Sequence, residues 1–538
     1  MALFCASAAF VLWRNSQVGV LADLAYPLNT ATRIAAGDVP YRDFPLAQAP
    51  GEFLIQALLI KAFGPHFGIQ IAYATLLGGL ATALTYVIVL QIIRGALASP
   101  RAVAAILAFP LVPLGIYAVY PHPFYDADAC LAVLIAIVAI LVARDRPTPA
   151  TWLVAGGLIA VPIFIKQNIG GAFLVLSVAA LAAEALARVS ARQGFHWCVA
   201  GIVVTLGVEI LALQLFVGVD HYLRWAWTFA LAGRGVSLAR FREFADPLFV
   251  WPAALIVLLA FVSPFLQPRF RTPLFLAGLG AWLVSMVLAP TAFFAVPRLF
   301  PPLLIAASVL ALARAWRDGP NFAALLPLVV AGTTLGTLQS LGLNGSAFGI
   351  FPMLMIAIGS LVHDLAWLID RPQRIAPLTG IVLALVLTVA GSAYTLENFR
   401  IRFVDVNASG PVMRSAFPSL TGLSARGPYL ADLDAILFWI RDNIPADEPF
   451  VFLPGEDPAY YALGRRPPLP SVYFYDVATP YSPAEIARFA DDARLRWVFV
   501  KDRLQLIEEP PLEQELVAAL TEHATLVARV GAYRIYRR

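Results

Sequence analysis

Thirteen stretches of apolar sequence, joined by short polar connections, decide what this chain can fold into. They fall at roughly 1–13, 67–93, 102–118, 127–143, 151–165, 169–187, 197–217, 248–266, 273–290, 299–313, 321–340, 347–369 and 376–393. Such runs are stable as helices in lipid, where no water satisfies backbone N–H and C=O groups and a spanning segment must bond them internally. The expectation is an α-helical polytopic membrane protein with about 13 transmembrane helices. Composition agrees: 60% of residues are hydrophobic and 13% charged, whereas about a quarter are charged in soluble domains. Several segments are shorter than the ~20 residues a perpendicular helix needs. The first, "MALFCASAAFVLW", is one of them, and it lacks the charged n-region of a signal peptide.

Arginine placement orients the helices. Every second connection carries a close basic pair: Arg94 and Arg101, Arg144 and Arg146, Arg188 and Arg192, Arg269 and Arg271, Arg314 and Arg317, Arg371 and Arg374. By the positive-inside rule these six connections face the cytoplasm. The others, including 14–66, 119–126, the neighbourhood of Lys166, 218–247, 291–298 and everything after about 394, then face outside. The net charge of +4 is explained by these topological arginines and points to no nucleic-acid partner. Cys5, Cys130 and Cys198 lie in or beside apolar runs with no CxxC spacing, so they offer neither a metal site nor a disulfide framework.

Composition changes sharply near residue 394. Residues 1–393 read as the membrane domain with its outer loops, and 394–538 as an outer α/β domain of ordinary size. In the latter, "YLADLDAILFWIRDNIP" has helical periodicity and stops at Pro445. "FVFLPG" and "WVFVKD" read as short buried strands, and "TLVARVGAYRIYRR" as a closing hairpin.

The polar residues of the outer loops are the candidates for chemistry, because a charge at membrane depth is expensive to keep. Asp23 and Asp126 each stand at the outer end of a span, where a carboxylate is held half-buried, as a general base requires. Lys166 interrupts an apolar stretch from Thr151 to Ala187, and Arg298 lies in "AVPRLFPP". Both suit a phosphate, Lys166 as a point charge and Arg298 as a bidentate donor. Tyr41, Arg42 and Glu52 in the first outer loop, His122 in "YPHPFYDADA", and Arg234 and Arg240 in the 218–247 loop complete the set of candidate substrate-loop residues. A lone carboxylate at Asp23, followed by Leu24, is a poor Mg²⁺ or Mn²⁺ site. No metal ligand and no cofactor is assigned, and a divalent metal is left open as an alternative that the sequence does not support.

Three stretches, "DLAYPLNTATRIAAGDVPYRDFPLAQAPGEFLIQALLIKAFG", "GLIAVPIFIKQNIGGAFL" and "PGEDPAYYALGRRPPLPS", resemble the GT-C membrane glycosyltransferases, in particular the protein mannosyltransferase and lipid A aminoarabinose transferase-like group. The resemblance implies an enzyme that takes a hexose or pentose from a polyprenyl-phosphate donor and transfers it, with inversion, to an extracytoplasmic glycan, lipid or protein. It implies Asp23 as base, Asp126 as the second-loop acid, and Lys166 and Arg298 on the donor phosphate. "GDVPYRDF" would be the turn between two surface helices, roughly 24–36 and 50–63, roofing the site, with Glu52 and Gln56 facing the same way. A multi-pass protein of a bacterial inner membrane is expected. The alternatives are a flippase or transporter of lipid-linked sugar, and a polysaccharide polymerase or ligase. The repeats and matched broken helices typical of transporters are not visible in this sequence.

Overall fold

The computed structural model describes residues 1–233, 245–345, 349–369, 372–401, 403–474, 479–505 and 514–538. Every one of the thirteen apolar segments overlaps a helix. Among the described residues, seven helices are long and apolar enough to cross a membrane: Phe67–Ile93, Tyr125–Asp145, Gln167–Ala187, Val189–Phe216, Arg269–Leu288, Phe294–Asp318 and Gln373–Leu396. Five more are apolar but shorter: Ala2–Asn15, Pro149–Ile165, Pro247–Val262, Phe322–Leu338 and Phe351–Leu365. The segment at 102–118 is broken, Pro100–Ala108 giving way to Leu111–Leu114 across Pro110. Proline has no N–H for the helical ladder and crowds the preceding turn, which favours a break there, although other helices continue through a proline, as at Pro27 and Pro252.

Helices approach closely where glycine permits it. A Cβ on Gly156 would lie 1.9 Å from the Cys198 carbonyl oxygen, and one on Gly201 would lie 2.1 Å from that of Leu153. The helices Pro149–Ala160 and Val189–Phe216 therefore meet backbone to backbone, the usual device where lipid offers no hydrophobic drive to association. At one end of the bundle the connections are tied by polar bonds. Arg94 pairs with Asp145 at 2.7 Å, Arg144 with Glu184, and Arg314 with Asp364 at 2.8 Å. Glu184 also accepts the Phe322 N–H at 3.0 Å, and Gln373 donates to the Ala96 carbonyl at 3.1 Å. Arginines from three of the six basic connections thus gather at one end of the bundle.

The C-terminal region is built on a four-stranded sheet in the order β3-β4-β6-β5. Its strands are β3 (Phe450–Leu453), β4 (Trp497–Lys501), β5 (Thr525–Val530) and β6 (Tyr533–Arg537), with β3 parallel to β4 and the other pairs antiparallel. A separate hairpin pairs β1 (Val412–Arg414) with β2 (Ser424–Arg426). Side chains alternate across a strand, and β3 and β4 are apolar at every second position on both faces. Phe450, Phe452, Trp497 and Phe499 pack on the helix Tyr429–Asn443, while Val451, Leu453, Val498 and Val500 pack with Ile486, Ala490, Leu516 and Leu520. The helix Pro483–Asp492 starts with a capping box in which Ser482 and Glu485 satisfy each other's backbone N–H groups.

The two helices of the first loop are Leu21–Ala35 and Gly51–Phe63. The first is not a surface helix. Leu21, Leu24 and Leu28 enter the core of the C-terminal region, beside Tyr429, Leu433 and Tyr461, and nearly the whole helix is buried. Polar bonds fasten it there: Asn29 donates to the Asp457 carbonyl at 2.9 Å and accepts the Tyr461 N–H at 3.1 Å. Arg33 donates to the carbonyls of Leu469 and Pro470.

Candidate active site

Asp23 is the third residue of Leu21–Ala35 and stays half-buried where its neighbours are fully buried. The first N–H groups of a helix lack internal partners and favour a negative charge nearby. Val20, at the N-cap, offers no side-chain acceptor. Two distant side chains substitute for it. The Val20 N–H donates to His122 Nε2 at 3.3 Å, and the Ala22 N–H donates to Gln505 Oε1 at 3.1 Å. His122 is fully buried, and burial first, the Arg14 charge second, push its pKa down to about 3. It is a neutral acceptor holding a helix start, which is a structural role for this candidate.

An aromatic wall leads away from Asp23. Burial, and then the neighbouring Asp23 carboxylate, hold the Tyr120 phenol well above its usual range. Tyr120 packs edge-on to Phe124 at 5.5 Å, and Phe124 stacks on Tyr125 at 4.2 Å. The Lys166 ammonium sits 4.4 Å above the Tyr125 ring and 2.6 Å from both oxygens of Asp126. This ion pair is buried, with 1% of the Asp126 side chain and 6% of the Lys166 side chain exposed. Gln167, next in sequence, stitches the surroundings together: its amide donates to the Ala47 and Ala226 carbonyls and accepts the Ala49 N–H. Tyr26 bonds Gln48 at 2.6 Å and lies edge-on to Phe53 and to Tyr473 of the C-terminal region.

Asp128 lies below this wall and accepts the hydroxyls of Tyr73, at 2.6 Å, and Tyr117. Glu52 and Gln56 are fully buried one turn apart, as the spacing requires. Burial first, and the Asp128 charge second, raise the Glu52 carboxyl well above the ordinary range, with the adjacent Gln56 amide opposing. Neither Glu52 oxygen makes a hydrogen bond of ordinary geometry, which is tolerable for a neutral carboxyl and costly for an ionised one.

The other candidates lie elsewhere. Tyr41 adopts φ +66°, is buried, and donates to the Gln48 carbonyl at 2.6 Å with its ring edge-on to Tyr222, so it pins the loop. Arg42 is exposed and paired with Asp43 at 2.9 Å. Asp38 is buried between Arg33 and Arg466. Arg298 lies inside the helix Ala292–Asp318, over the Phe294 ring at 3.8 Å and 3.4 Å from Asp246. Arg234 and Arg240 fall outside the described residues. Among the described residues no group of three His, Cys, Asp or Glu side chains could hold a metal ion. Sequence reasoning missed Tyr120, Tyr473 and Gln505. Tyr120 opens the stretch "YPHPFYDADA" already singled out, but nothing in the pattern around Gln505 marks it.

No protein-family model matches the chain, and neither does the sequence of any curated protein. Among solved structures, the chain is similar to ArnT from Cupriavidus metallidurans bound to undecaprenyl phosphate, with 13% identity, 100% of this chain and 97% of that chain covered, and a TM-score of 0.49. It is similar in the same way to ArnT from Cupriavidus metallidurans in the apo state, with 13% identity, the same coverage and a TM-score of 0.48.

Proposed function

We propose that this chain is a membrane glycosyltransferase that moves a sugar from a polyprenyl-phosphate donor to an extracytoplasmic acceptor with inversion, in a bacterial inner membrane. The observation that carries the reading is Asp23 itself: a half-exposed carboxylate at the start of an otherwise buried helix, joined by aromatic rings to a buried lysine. Asp23 takes the proton of the acceptor hydroxyl or amine as the acceptor heteroatom attacks the anomeric carbon. The bond from that carbon to the phosphate oxygen breaks, its electrons leave on the phosphate, and Asp23 later returns the proton to water. Attack opposite the leaving group inverts the anomeric centre. The departing phosphate is already anionic and needs a cation rather than a proton. Lys166 supplies that charge, and Asp126, engaged with Lys166 through both oxygens, holds the ammonium in place instead of serving as a second base. Arg298, with 23% of its side chain exposed, is the second candidate for the phosphate. The outer location of the C-terminal region rests on the arginine pattern.

The test is Asp23→Asn in purified full-length protein with a radiolabelled polyprenyl-phosphate sugar. Release of free polyprenyl phosphate should fall ~10²-fold or more, the scale of a lost general base, in protein that still inserts and purifies normally. Wild-type turnover at saturating donor would sink the assignment. A wild-type protein that moved the donor across vesicles without releasing free lipid phosphate would make it a transporter.

A further inference from the structure

We infer that the C-terminal region completes the transfer site, with Gln505 as the positioning residue that sets Asp23. This deepens the proposed function and rests on Asp23 as the base. Gln505 is fully buried, and each of its polar atoms is used. Its Oε1 accepts the Ala22 N–H at 3.1 Å, one residue before Asp23. Its Nε2 donates to Asp405 Oδ1 and, at 3.4 Å, to the Gly19 carbonyl. Its own N–H donates to Glu456 at 3.0 Å, and its carbonyl accepts the Val404 N–H at 2.7 Å.

The partners of Gln505 are themselves fixed. Lys501 lies 2.7 Å from Glu456 and 3.0 Å from Asp457, and all three are buried. Tyr533 donates to the other Asp457 oxygen at 2.6 Å. Burial works against the Lys501 charge, but Asp457 and Glu456 outweigh it and hold its pKa above the ordinary lysine value. Breaking so well-bonded a charged cluster is costly, so the Gln505 amide is presented from a rigid base. The turn before the helix is equally constrained, since a Cβ on Gly19 would lie 2.6 Å from the Ser424 carbonyl oxygen. A leucine cap or a free helix end would let the first turn, and Asp23 with it, shift. A displacement of about 1 Å in a reacting group costs on the order of 10²-fold in rate.

The experiment uses the full-length protein in nanodiscs and measures kcat and donor KM for Gln505→Leu, for Asp23→Asn, and for the exchange variant Gln505→Glu with Asp405→Asn. The exchange variant restores an acceptor for Ala22 N–H and swaps the amide and carboxyl partners. Gln505→Leu should lose about 10- to 100-fold in kcat with donor KM unchanged, and the exchange variant should recover most of it. If Gln505→Leu keeps wild-type kcat while Asp23→Asn is inactive, the positioning role is wrong and the base assignment stands. If Asp23→Asn is active, the base assignment fails first. Should Gln505→Leu not fold, the exchange variant decides alone: folded protein as inactive as Asp23→Asn overturns the inference.

Discussion

At one end of the bundle Arg94 faces Asp145, Arg144 faces Glu184 and Arg314 faces Asp364. At the other, Asp23 stands beside Tyr120, Glu52 beside Gln56, Asp128 between Tyr73 and Tyr117, and Asp126 against Lys166. The first end matches each acid with a guanidinium, which is always charged and forks onto carboxylates. That arrangement fastens connections and marks orientation. At the second end neutral phenols and an amide stand beside Asp23, Asp128 and Glu52, Lys166 neutralises Asp126 in a buried pair, and Asp38 is the acid held there by guanidinium groups, those of Arg33 and Arg466. On the function proposed above, the difference sets anchoring pairs apart from the candidate site within one helical scaffold.

The largest effect is expected at the buried Lys166–Asp126 ion pair of that second end. Lys166→Met leaves Asp126 charged and buried, and should cost about 3–5 kcal/mol of stability, measured by unfolding in detergent. Adding Asp126→Leu should recover most of the stability and none of the transfer. Stability unchanged in the single variant would mean that Asp126 has another partner. At the anchoring end, Arg144→Met should cost less, about 1–3 kcal/mol, because Glu184 keeps the Phe322 N–H and the Arg144 side chain is 23% exposed. Turnover per folded molecule should not change. A loss of turnover as large as that of Lys166→Met would erase the division between the two ends.

A smaller effect should follow pH. Burial raises the Asp405 carboxyl to about 7, with the Gln505 bond and the Lys501 charge opposing. The folded protein therefore holds a proton that the unfolded chain releases near pH 4. Stability from this group is complete below that value, declines as pH rises to about 7, and is flat above. Asp405→Asn should flatten this part of the stability profile; a slope unaltered by the substitution would place the titration on another group. The smallest effect is expected at Arg42, exposed and paired with its sequence neighbour Asp43. Arg42→Ala should change neither unfolding nor donor KM, and a raised KM would return Arg42 to the substrate loop.

The helices and strands were legible because each is a local pattern. "FVFLPG" and "WVFVKD" became β3 and β4, and every apolar segment overlaps a helix, but the segment at 102–118, read as one span, is broken at Pro110. The buried state of Leu21–Ala35 was not legible, since its cover comes from Asp457 and Tyr461, more than 400 positions away. Candidate residues were found by type, and their roles by partner. Charge alone marked Lys166 and Asp126, but no spacing rule announces that they bind each other across 40 positions. His122 looked chemical because it is a histidine in an acidic loop, and burial made it a neutral cap.

The hydrogen bond between Ala22 and Gln505 spans 483 positions. Ribosomes extend chains at roughly 5–20 residues per second, so the helix bearing Asp23 is made roughly 25 to 100 s before the amide that sets it. On the roles proposed for Asp23 and Gln505, the base would stay unset until residue 505 arrives, and activity would become a late event of biosynthesis, after the sheet has closed on the helix.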